Sequence, residues 1–253
     1  MPELKHLRRI RSFVKREGRI TTRQQTALAT LWKDYGIDFS RQPLDLDQVF
    51  GRSAPRNLEI GFGKGEAIIN MAEAHPEEDF LGIEVFQPGA GQVLALAKEK
   101  GLGNIRVIIK DAVEVLENQI CDQSLERVYL FFPDPWHKRK HKKRRILNSS
   151  FTELLARKIK HQGHFFLATD WADYAHQMIN VLDASPYFAN TMSSGHYAIR
   201  NPRRPLTKYE RRGHRLGHQV WDLDFVRIPH ISGKLSSNLH QISSNPNKPS
   251  KPE

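Results

Sequence analysis

The middle of the chain alternates short apolar runs with longer segments whose apolar residues recur every three to four positions. The short runs predict strands near 56–61, 79–84, 105–110, 126–132 and 163–169. The longer segments predict helices near 65–75, 88–100, 112–118, 146–160 and 171–184. This strand–helix order is typical of an α/β fold with a mostly parallel sheet covered by helices on both faces.

The alternation is absent from both ends of the chain. A basic arm comes first, followed by a helix predicted near Gln24 to Tyr35. After Ser185, two further strands are predicted at 187–200 and 218–227, and the last residues are too poor in apolar side chains to fold. We therefore expect a basic N-terminal arm and helix, an α/β domain and a disordered tail, at 1–50, 51–228 and 229–253.

Charge and cysteine content narrow the class of protein. The net charge of +11 over 253 residues favours a polyanionic partner, either a nucleic acid or an anionic membrane surface. No apolar run approaches the ~20 residues that a membrane span needs, and the basic N-terminus lacks the apolar stretch of a signal peptide. The single cysteine, Cys121, cannot form an internal disulfide, so we expect a reducing, cytoplasmic location and no membrane.

A carboxylate lies at or just beyond the end of four predicted strands. These are Glu59, Glu84, Asp111 and Asp134. Ligands of open α/β sheets bind outside the carboxyl ends of the strands, so the four side chains are expected to converge there. Any one of them has a simpler interpretation; Asp111, for instance, precedes a predicted helix and could cap it. Four carboxylates at one edge favour a cationic ligand.

A glycine-rich turn, Gly61-Phe62-Gly63-Lys64-Gly65, joins the first of these strands to a helix. Gly61 and Gly63 permit a tight turn and the approach of a ligand to the helix N-terminus, and Glu84 is placed to accept hydrogen bonds from ribose hydroxyls. The alternative is a structural turn without a ligand. Among adenosine cofactors, NAD carries a pyrophosphate that the acidic edge would repel. S-adenosylmethionine carries a sulfonium and an ammonium instead, so the pattern favours it.

The segment Pro133-Asp134-Pro135-Trp136 follows the fourth strand directly. Its two prolines end the strand and stiffen the loop, which holds Asp134 at the sheet edge and offers the face of Trp136 to a base. The alternative is a rigid loop in which Asp134 caps the next turn. We expect the basic run after this loop to face RNA, although runs of charge are usually solvated surface: Lys140, His141, Lys142, Lys143, Arg144 and Arg145.

Other polar residues are less informative. His137 and His141 show no metal-ligand spacing with a cysteine, so no structural metal is expected. A second basic set is interpreted as RNA-facing or as a lid, with a helix cap and solvent-exposed arginines as the alternative: Arg203, Arg204, Arg211, Arg212, His214 and Arg215.

Six motifs resemble, in order and spacing, those of the bacterial tRNA (guanine-N7)-methyltransferases, over about Arg56 to Phe225. They are Leu58-Glu59-Ile60-Gly61-Phe62-Gly63, Phe80-Leu81-Gly82-Ile83-Glu84-Val85, Phe131-Phe132-Pro133-Asp134-Pro135-Trp136-His137-Lys138, Lys143-Arg144-Arg145, Ala168-Thr169-Asp170-Trp171 and Thr207-Lys208-Tyr209-Glu210. The resemblance implies a Rossmann-like class I methyltransferase fold, with a seven-stranded, mostly parallel sheet and an antiparallel C-terminal hairpin. It also implies methyl transfer from S-adenosylmethionine to N7 of a guanine in the tRNA variable loop, at position 46.

The resemblance also implies roles for individual residues. Cofactor contacts would come from Glu59, Glu84, Asp111 and Asp134, beside the turn glycines Gly61 and Gly63. The chemistry of methyl transfer adds a catalytic role for Asp134, because a carboxylate there can stabilise the positive charge that develops on the guanine. Substrate contacts would come from Lys138, Asp170, Thr207, Lys208, Tyr209 and Glu210.

Three other functions stay open at this point. Pro-Asp-Pro-Trp loosely resembles the Asp-Pro-Pro-Tyr loops of enzymes that methylate amino groups of nucleic acids. A non-catalytic RNA-binding protein with a methyltransferase fold is a second alternative, although no carboxylate of the expected pocket is replaced. A nicotinamide oxidoreductase is disfavoured by the acidic edge. Neither a monomer nor a homodimer is favoured by the sequence.

Overall fold

The computed structural model describes residues 10–14, 18–206, 210–211, 215, 217 and 219–229. Seven strands form one sheet, at β1 Arg56–Ile60, β2 Asp79–Glu84, β3 Ile105–Ile109, β4 Leu125–Phe131, β5 Ile159–Thr169, β6 Phe188–Asn190 and β7 Trp221–Arg227. Among the described residues, α-helices with bounds lie at α1 Thr22–Tyr35, α2 Leu46–Phe50, α3 Glu66–Ala74, α4 Gln87–Glu99, α5 Ala112–Asn118, α6 Ser149–Lys158 and α7 Ala172–Asp183. A 3₁₀ helix spans Arg139–Arg144.

The strand order is β3-β2-β1-β4-β5-β7-β6. The first five strands are parallel, and β7 is antiparallel to both of its neighbours. The predicted seven-stranded, mostly parallel sheet with an antiparallel C-terminal hairpin is confirmed. Because the chain leaves β1 towards β2 and β3 and later returns to β4 on the other side, the crevice between β1 and β4 is the switch point at which such sheets bind ligands.

Two apolar layers cover the sheet, one on each face. Side chains of α5, α6 and α7 form one layer, and those of α1, α3 and α4 form the other. Helix α1 begins at a capping box between Thr21 and Gln24. It packs so closely on α4 that a Cβ on Gly91 would lie 2.6 Å from the Gln24 carbonyl oxygen. The helix of the N-terminal segment is therefore part of the sheet's covering layer.

The boundary between α6 and β5 differs from the prediction. The helix expected at 146–160 begins at Ser149, because the Asn148 side chain caps it by accepting from the Phe151 N–H at 3.0 Å. Strand β5 begins at Ile159, not near 163, because Ile159 pairs with Leu125 before a bulge shifts the register. The left-handed Gln162, at φ 65°, lies in this irregular stretch.

The strand predicted at 187–200 is much shorter in the structure. Only Phe188–Asn190 form β6, and Ala198 adds an isolated bridge to Asp222. The polar Ser193-Ser194-Gly195 segment turns the chain away between them, and Gly195 has a φ of 79°. The strand predicted at 218–227 begins at Trp221.

Some predictions concern parts of the chain that lie outside the described residues. These are Thr207, Lys208 and Tyr209, Arg212 and His214 of the second basic set, most of the first fifteen residues, and the predicted tail from residue 230 onward. Within the described residues, every helix is too short or too polar to span a membrane. The proposed boundaries at 50 and 228 stay predictions.

Candidate active site

A cavity of about 440 Å³ opens at the carboxyl ends of β1, β2 and β4. Its walls come from the glycine turn, the segment after β2, the start of α5 and the loop after β4. Five of the predicted cofactor residues line it: Gly61, Gly63, Glu84, Asp111 and Asp134. The structure therefore brings these residues together at the switch point of the sheet.

The glycine turn presents its backbone to this cavity. Gly61 and Gly63 have φ values of 75° and 56°, which disfavour other residues, and a Cβ on either would meet no atom within 4 Å. Glu84 holds the turn in place, because its Oε2 accepts from the Gly63 N–H at 2.8 Å. Its Oε1 accepts from the N–H groups of Val85 and Phe86 at 2.6 and 3.1 Å. One carboxylate thus both lines the cavity and shapes its wall.

Glu59 lies beneath the turn and is not among the residues that line the cavity. Burial first, and the nearby Glu84 carboxylate second, raise the pKa of Glu59 to about 8, against a hydrogen bond with the Ile68 backbone that lowers it. Among the described residues, its Oε2 has no hydrogen-bond partner. A cofactor contact by Glu59 stays a prediction.

Asp111 fits both interpretations that the sequence allows. Its Oδ1 accepts from the Val113 N–H at 3.0 Å and so caps α5. It also lines the cavity. The Asp111 side chain therefore both caps α5 and lines the cavity.

The loop that carries Asp134 is held in an unusual conformation. Phe132 and Trp136, on either side of Asp134, both have left-handed backbones, with φ values of 50° and 47°. Such residues persist only where the surrounding structure fixes them, and they cluster at functional sites. One such restraint is the Phe132 N–H, which donates to the Ala168 carbonyl of β5 at 2.7 Å.

The predicted substrate residues Lys138 and Asp170 lie on the exposed surface, outside the lining of the cavity. Their loops nevertheless touch, because the rings of His137 and Trp171 meet edge to face with centroids 4.1 Å apart. Trp171 is more than one-third exposed. The loop after β4 and the segment after β5 therefore form one aromatic and acidic rim beside the cavity.

Comparisons with known proteins identify the family. Residues 53–223 match the model of a family described as "Putative methyltransferase". The chain is 56% identical to the tRNA (guanine-N(7)-)-methyltransferase of Sodalis glossinidius, over 87% of this chain and 92% of the relative. It is 54% identical to the enzyme of the same name from Hydrogenovibrio crunogenus, over 88% of this chain and 93% of the relative.

This chain belongs to the tRNA (guanine-N7)-methyltransferase family. Solved structures support the fold alone. The 16S rRNA methyltransferase KamB superposes with a TM-score of 0.53 at 14% identity, covering 74% of this chain and 95% of that one. The aminoglycoside resistance methyltransferase NpmB1 gives a TM-score of 0.51 at 14% identity, covering the same shares of the two chains.

The basic run of this methyltransferase does not form a uniform surface. Arg139, Lys140 and Lys143 are exposed, whereas His141, Lys142 and Arg144 are half-buried. Arg145 is buried, and its side chain faces the protein interior. An RNA-facing side chain must be exposed to solvent, so the prediction does not hold for Arg145. The difference arises because acceptors on the neighbouring loop and on α7 surround the Arg145 guanidinium.

Arg144 also has partners within the protein. Its guanidinium stacks over the Trp136 ring at 4.0 Å and donates to the backbone carbonyls of Arg11 and Phe13 at 3.1 and 2.8 Å. Trp136 donates to the Ser12 carbonyl at 3.1 Å. The N-terminal segment 10–14 is thereby tied to the active loop, and Ser12, Phe13 and Val14 line the cavity. Sequence reasoning missed these residues because a basic arm carries no pattern that specifies where it docks.

The second basic set contains another buried arginine. Arg204 donates to Glu210 and to Asp222 of β7, with its nearest contacts at 2.5 and 2.8 Å. Its guanidinium also lies near the rings of Phe131 and Phe132. Arg204 is thus neither RNA-facing nor an exposed arginine, and Glu210 of the predicted substrate motif is buried in the same ion pair. An aspartate within an apolar strand, Asp222, was the available signal for a buried cation.

Proposed function

We propose that this protein transfers the methyl group of S-adenosylmethionine to N7 of a guanine in the variable loop of tRNA, in the cytoplasm. The observation that carries the proposal is the cavity at the switch point, which Glu84, Asp111 and Asp134 line beside the open backbone of the glycine turn. Membership of the tRNA (guanine-N7)-methyltransferase family supports the choice of base and atom.

The residues of the cavity fit S-adenosylmethionine. Three carboxylates suit its two cationic centres, and the lack of a Cβ at Gly61 and Gly63 leaves room for it against the backbone. Glu84 would accept from ribose hydroxyls, and Asp111 and Asp134 would face the cationic part. When bound, S-adenosylmethionine supplies an electrophilic methyl group on a positively charged sulfur.

The protein's own contribution is placement and charge stabilisation. Guanine N7 has an in-plane lone pair, so no side chain needs to remove a proton before attack. The enzyme must hold N7 in line with the methyl–sulfur bond. The exposed carboxylate of Asp134 beside the cavity would orient the base and stabilise the positive charge that develops on the ring.

Guanine recognition would fall to the rim next to this loop. Asp170 is exposed directly after β5 and could accept from guanine N1–H and N2–H₂, groups that adenine presents differently. Trp171 offers a partly exposed ring on which a flipped base can stack. Extruding the base would require a few kcal/mol, which phosphate contacts from Arg139, Lys140 and Lys143 would offset.

Product mapping tests the proposal. Purified protein is incubated with labelled S-adenosylmethionine and unmodified tRNA, and the RNA is then reduced and treated with aniline, which cleaves at N7-methylguanosine. Cleavage at one variable-loop guanine, abolished by Asp134→Ala but retained by Asp34→Ala, is the expected result. Asp34 is a matched control because it is an exposed aspartate on α1, outside the lining of the cavity.

Two other outcomes would replace the proposal. Label in the RNA without aniline cleavage would indicate methylation of an amino group or another atom. Binding of S-adenosylmethionine by calorimetry without any labelled RNA would indicate that the fold serves for binding only.

A further inference from the structure

We propose that Arg145 is a positioning residue that sets the guanine-binding rim, and that it does not contact RNA. The proposal rests on the proposed function, because the rim is the part of the molecule assigned there to the target base. It departs from the expectation for a basic run, in which every residue would meet phosphate.

The contacts of Arg145 join two separate parts of the chain. Its Nε donates to the Pro135 carbonyl at 2.8 Å, on the loop after β4. Its two terminal nitrogens donate to Gln177 Oε1 at 2.6 Å and to Asp173 Oδ2 at 2.5 Å, both on α7. The guanidinium lies 4.6 Å from the centroid of the Tyr174 ring. Each of the three guanidinium nitrogens of Arg145 therefore donates to an acceptor of the protein.

Each of the two parts carries a candidate guanine-binding residue close to the Arg145 contact. Pro135 directly follows Asp134. Asp173 lies three residues after Asp170, in the first turn of α7. The ring contact between His137 and Trp171 joins the same two parts from the solvent side. Arg145 therefore fixes the placement of Asp134 relative to Asp170.

The chemistry of this position requires arginine. Three acceptors lie in different directions around one planar group that also packs on an aromatic ring, and an ammonium cannot reproduce that geometry. The Arg145 side chain is only 1% exposed. A phosphate contact would require it to leave all of these partners, whereas Lys140 and Lys143 of the same run are exposed.

Two measurements separate positioning from phosphate binding. The first is the single-turnover rate of methyl transfer at saturating tRNA and S-adenosylmethionine. The second is the slope of tRNA affinity against salt concentration, which changes by about one for each phosphate that the protein no longer binds. A positioning residue changes the rate and leaves the slope as it is, while a phosphate-binding residue changes the slope.

For Arg145→Lys we expect a single-turnover rate reduced by about 10- to 100-fold, the range for a small misplacement of reacting groups. The salt slope is measured on Arg145→Met, because lysine keeps the positive charge with which a phosphate contact is made. The slope of Arg145→Met and the affinity of Arg145→Lys for S-adenosylmethionine should match those of the wild-type protein. Lys140→Ala is the comparison variant and should lower the slope by about one. A wild-type rate for Arg145→Lys together with a lowered slope for Arg145→Met would overturn the proposal.

Variants of the partners keep the test decisive if Arg145→Lys folds poorly. Asp173→Ala and Gln177→Ala remove the α7 contacts while leaving Arg145 itself in place. Both should lower the single-turnover rate, and the effect of Asp173→Ala should be less than additive with that of Arg145→Lys. Wild-type rates in both partner variants would overturn the proposal.

Product mapping of the wild-type protein separates this proposal from the proposed function. If the wild-type protein makes no N7-methylguanosine, the proposed function has failed, and no statement about its rate applies. If it does, only the variants decide the role of Arg145.

Discussion

The two basic segments of this chain, residues 139–145 and 200–211, are both rich in arginine and lysine, and each buries one arginine. Arg204 lies between two buried carboxylates, Glu210 and Asp222. Arg145 lies between a backbone carbonyl, an amide and the Asp173 carboxylate, whose side chain is 49% exposed. The difference shows that the partners of a buried arginine determine whether it chiefly neutralises buried charge or chiefly orients a loop.

The largest expected effect is that of Arg204→Met. Removing the arginine leaves two carboxylates buried without their shared cation, so the free energy of unfolding should fall by about 3–5 kcal/mol. Urea unfolding followed by circular dichroism measures this. Arg200→Met is the control, because Arg200 is more exposed and lies 3.6 Å from Glu210. Equal losses in the two variants would contradict the comparison.

Arg145→Met should be less damaging to stability. Asp173 keeps its water contacts and its ion pair with Lys142, so chiefly the Pro135 carbonyl and the Gln177 amide lose a partner. We expect a loss of about 1–2 kcal/mol in the same unfolding experiment. A loss as large as that of Arg204→Met would mean that Arg145 is also a structural charge centre.

Glu59 extends the comparison to a buried carboxylate without an arginine. Its pKa is raised from 4.5 to about 8 in the folded state, so the folded protein retains a proton that the unfolded chain releases. The free energy of unfolding should therefore fall as pH rises from 4.5 to about 8, by at most ~1.4 kcal/mol per pH unit. Glu59→Gln should remove this component of the slope. Parallel stability profiles for wild type and Glu59→Gln between about pH 5 and 8 would show that the carboxylate does not hold the proton.

The smallest effect is expected for Lys142→Ala. Hydrogen bonds from Lys142 and Arg145 lower the pKa of Asp173, but the Lys142–Asp173 pair is well exposed. Such pairs contribute about 0–1 kcal/mol, and the loss should therefore stay below that of Arg145→Met. Thermal unfolding of the two variants under one buffer condition compares them directly. If Lys142→Ala were the more damaging of the two, Asp173 would depend on Lys142 more than on Arg145.

The parts of the fold that follow from periodicity were predictable from the sequence. Strands β1 to β4 and their helices match the predicted ranges within a few residues, since burial on both faces leaves continuous apolar runs such as residues 128–131. The gathering of Glu84, Asp111 and Asp134 around the glycine turn follows from the same rule, because parallel strands end at one edge.

The remaining features depend on contacts between distant parts of the chain. Whether an arginine in a basic run is exposed depends on acceptors supplied from elsewhere, as Asp173 does for Arg145 and Asp222 does for Arg204. The docking of Ser12 and Phe13 on the active loop depends on Trp136 and Arg144, more than 120 residues away. A basic segment can have the same local composition whether its arginine is buried or exposed and whether or not it docks on a distant loop. Periodicity and motifs therefore do not distinguish these outcomes.

The position of β7 has a consequence for synthesis of the protein on the ribosome. Among the described residues this strand is the last along the chain, yet it lies inside the sheet between β5 and β6. Until Trp221–Arg227 have been translated, β5 and β6 each lack a neighbour and present open edges, which favour pairing with other chains. The same strand brings Asp222 to Arg204, so a nascent chain also carries that arginine without one of its two carboxylates. Completion of the sheet and the pairing of Arg204 with its second carboxylate therefore both await one late segment.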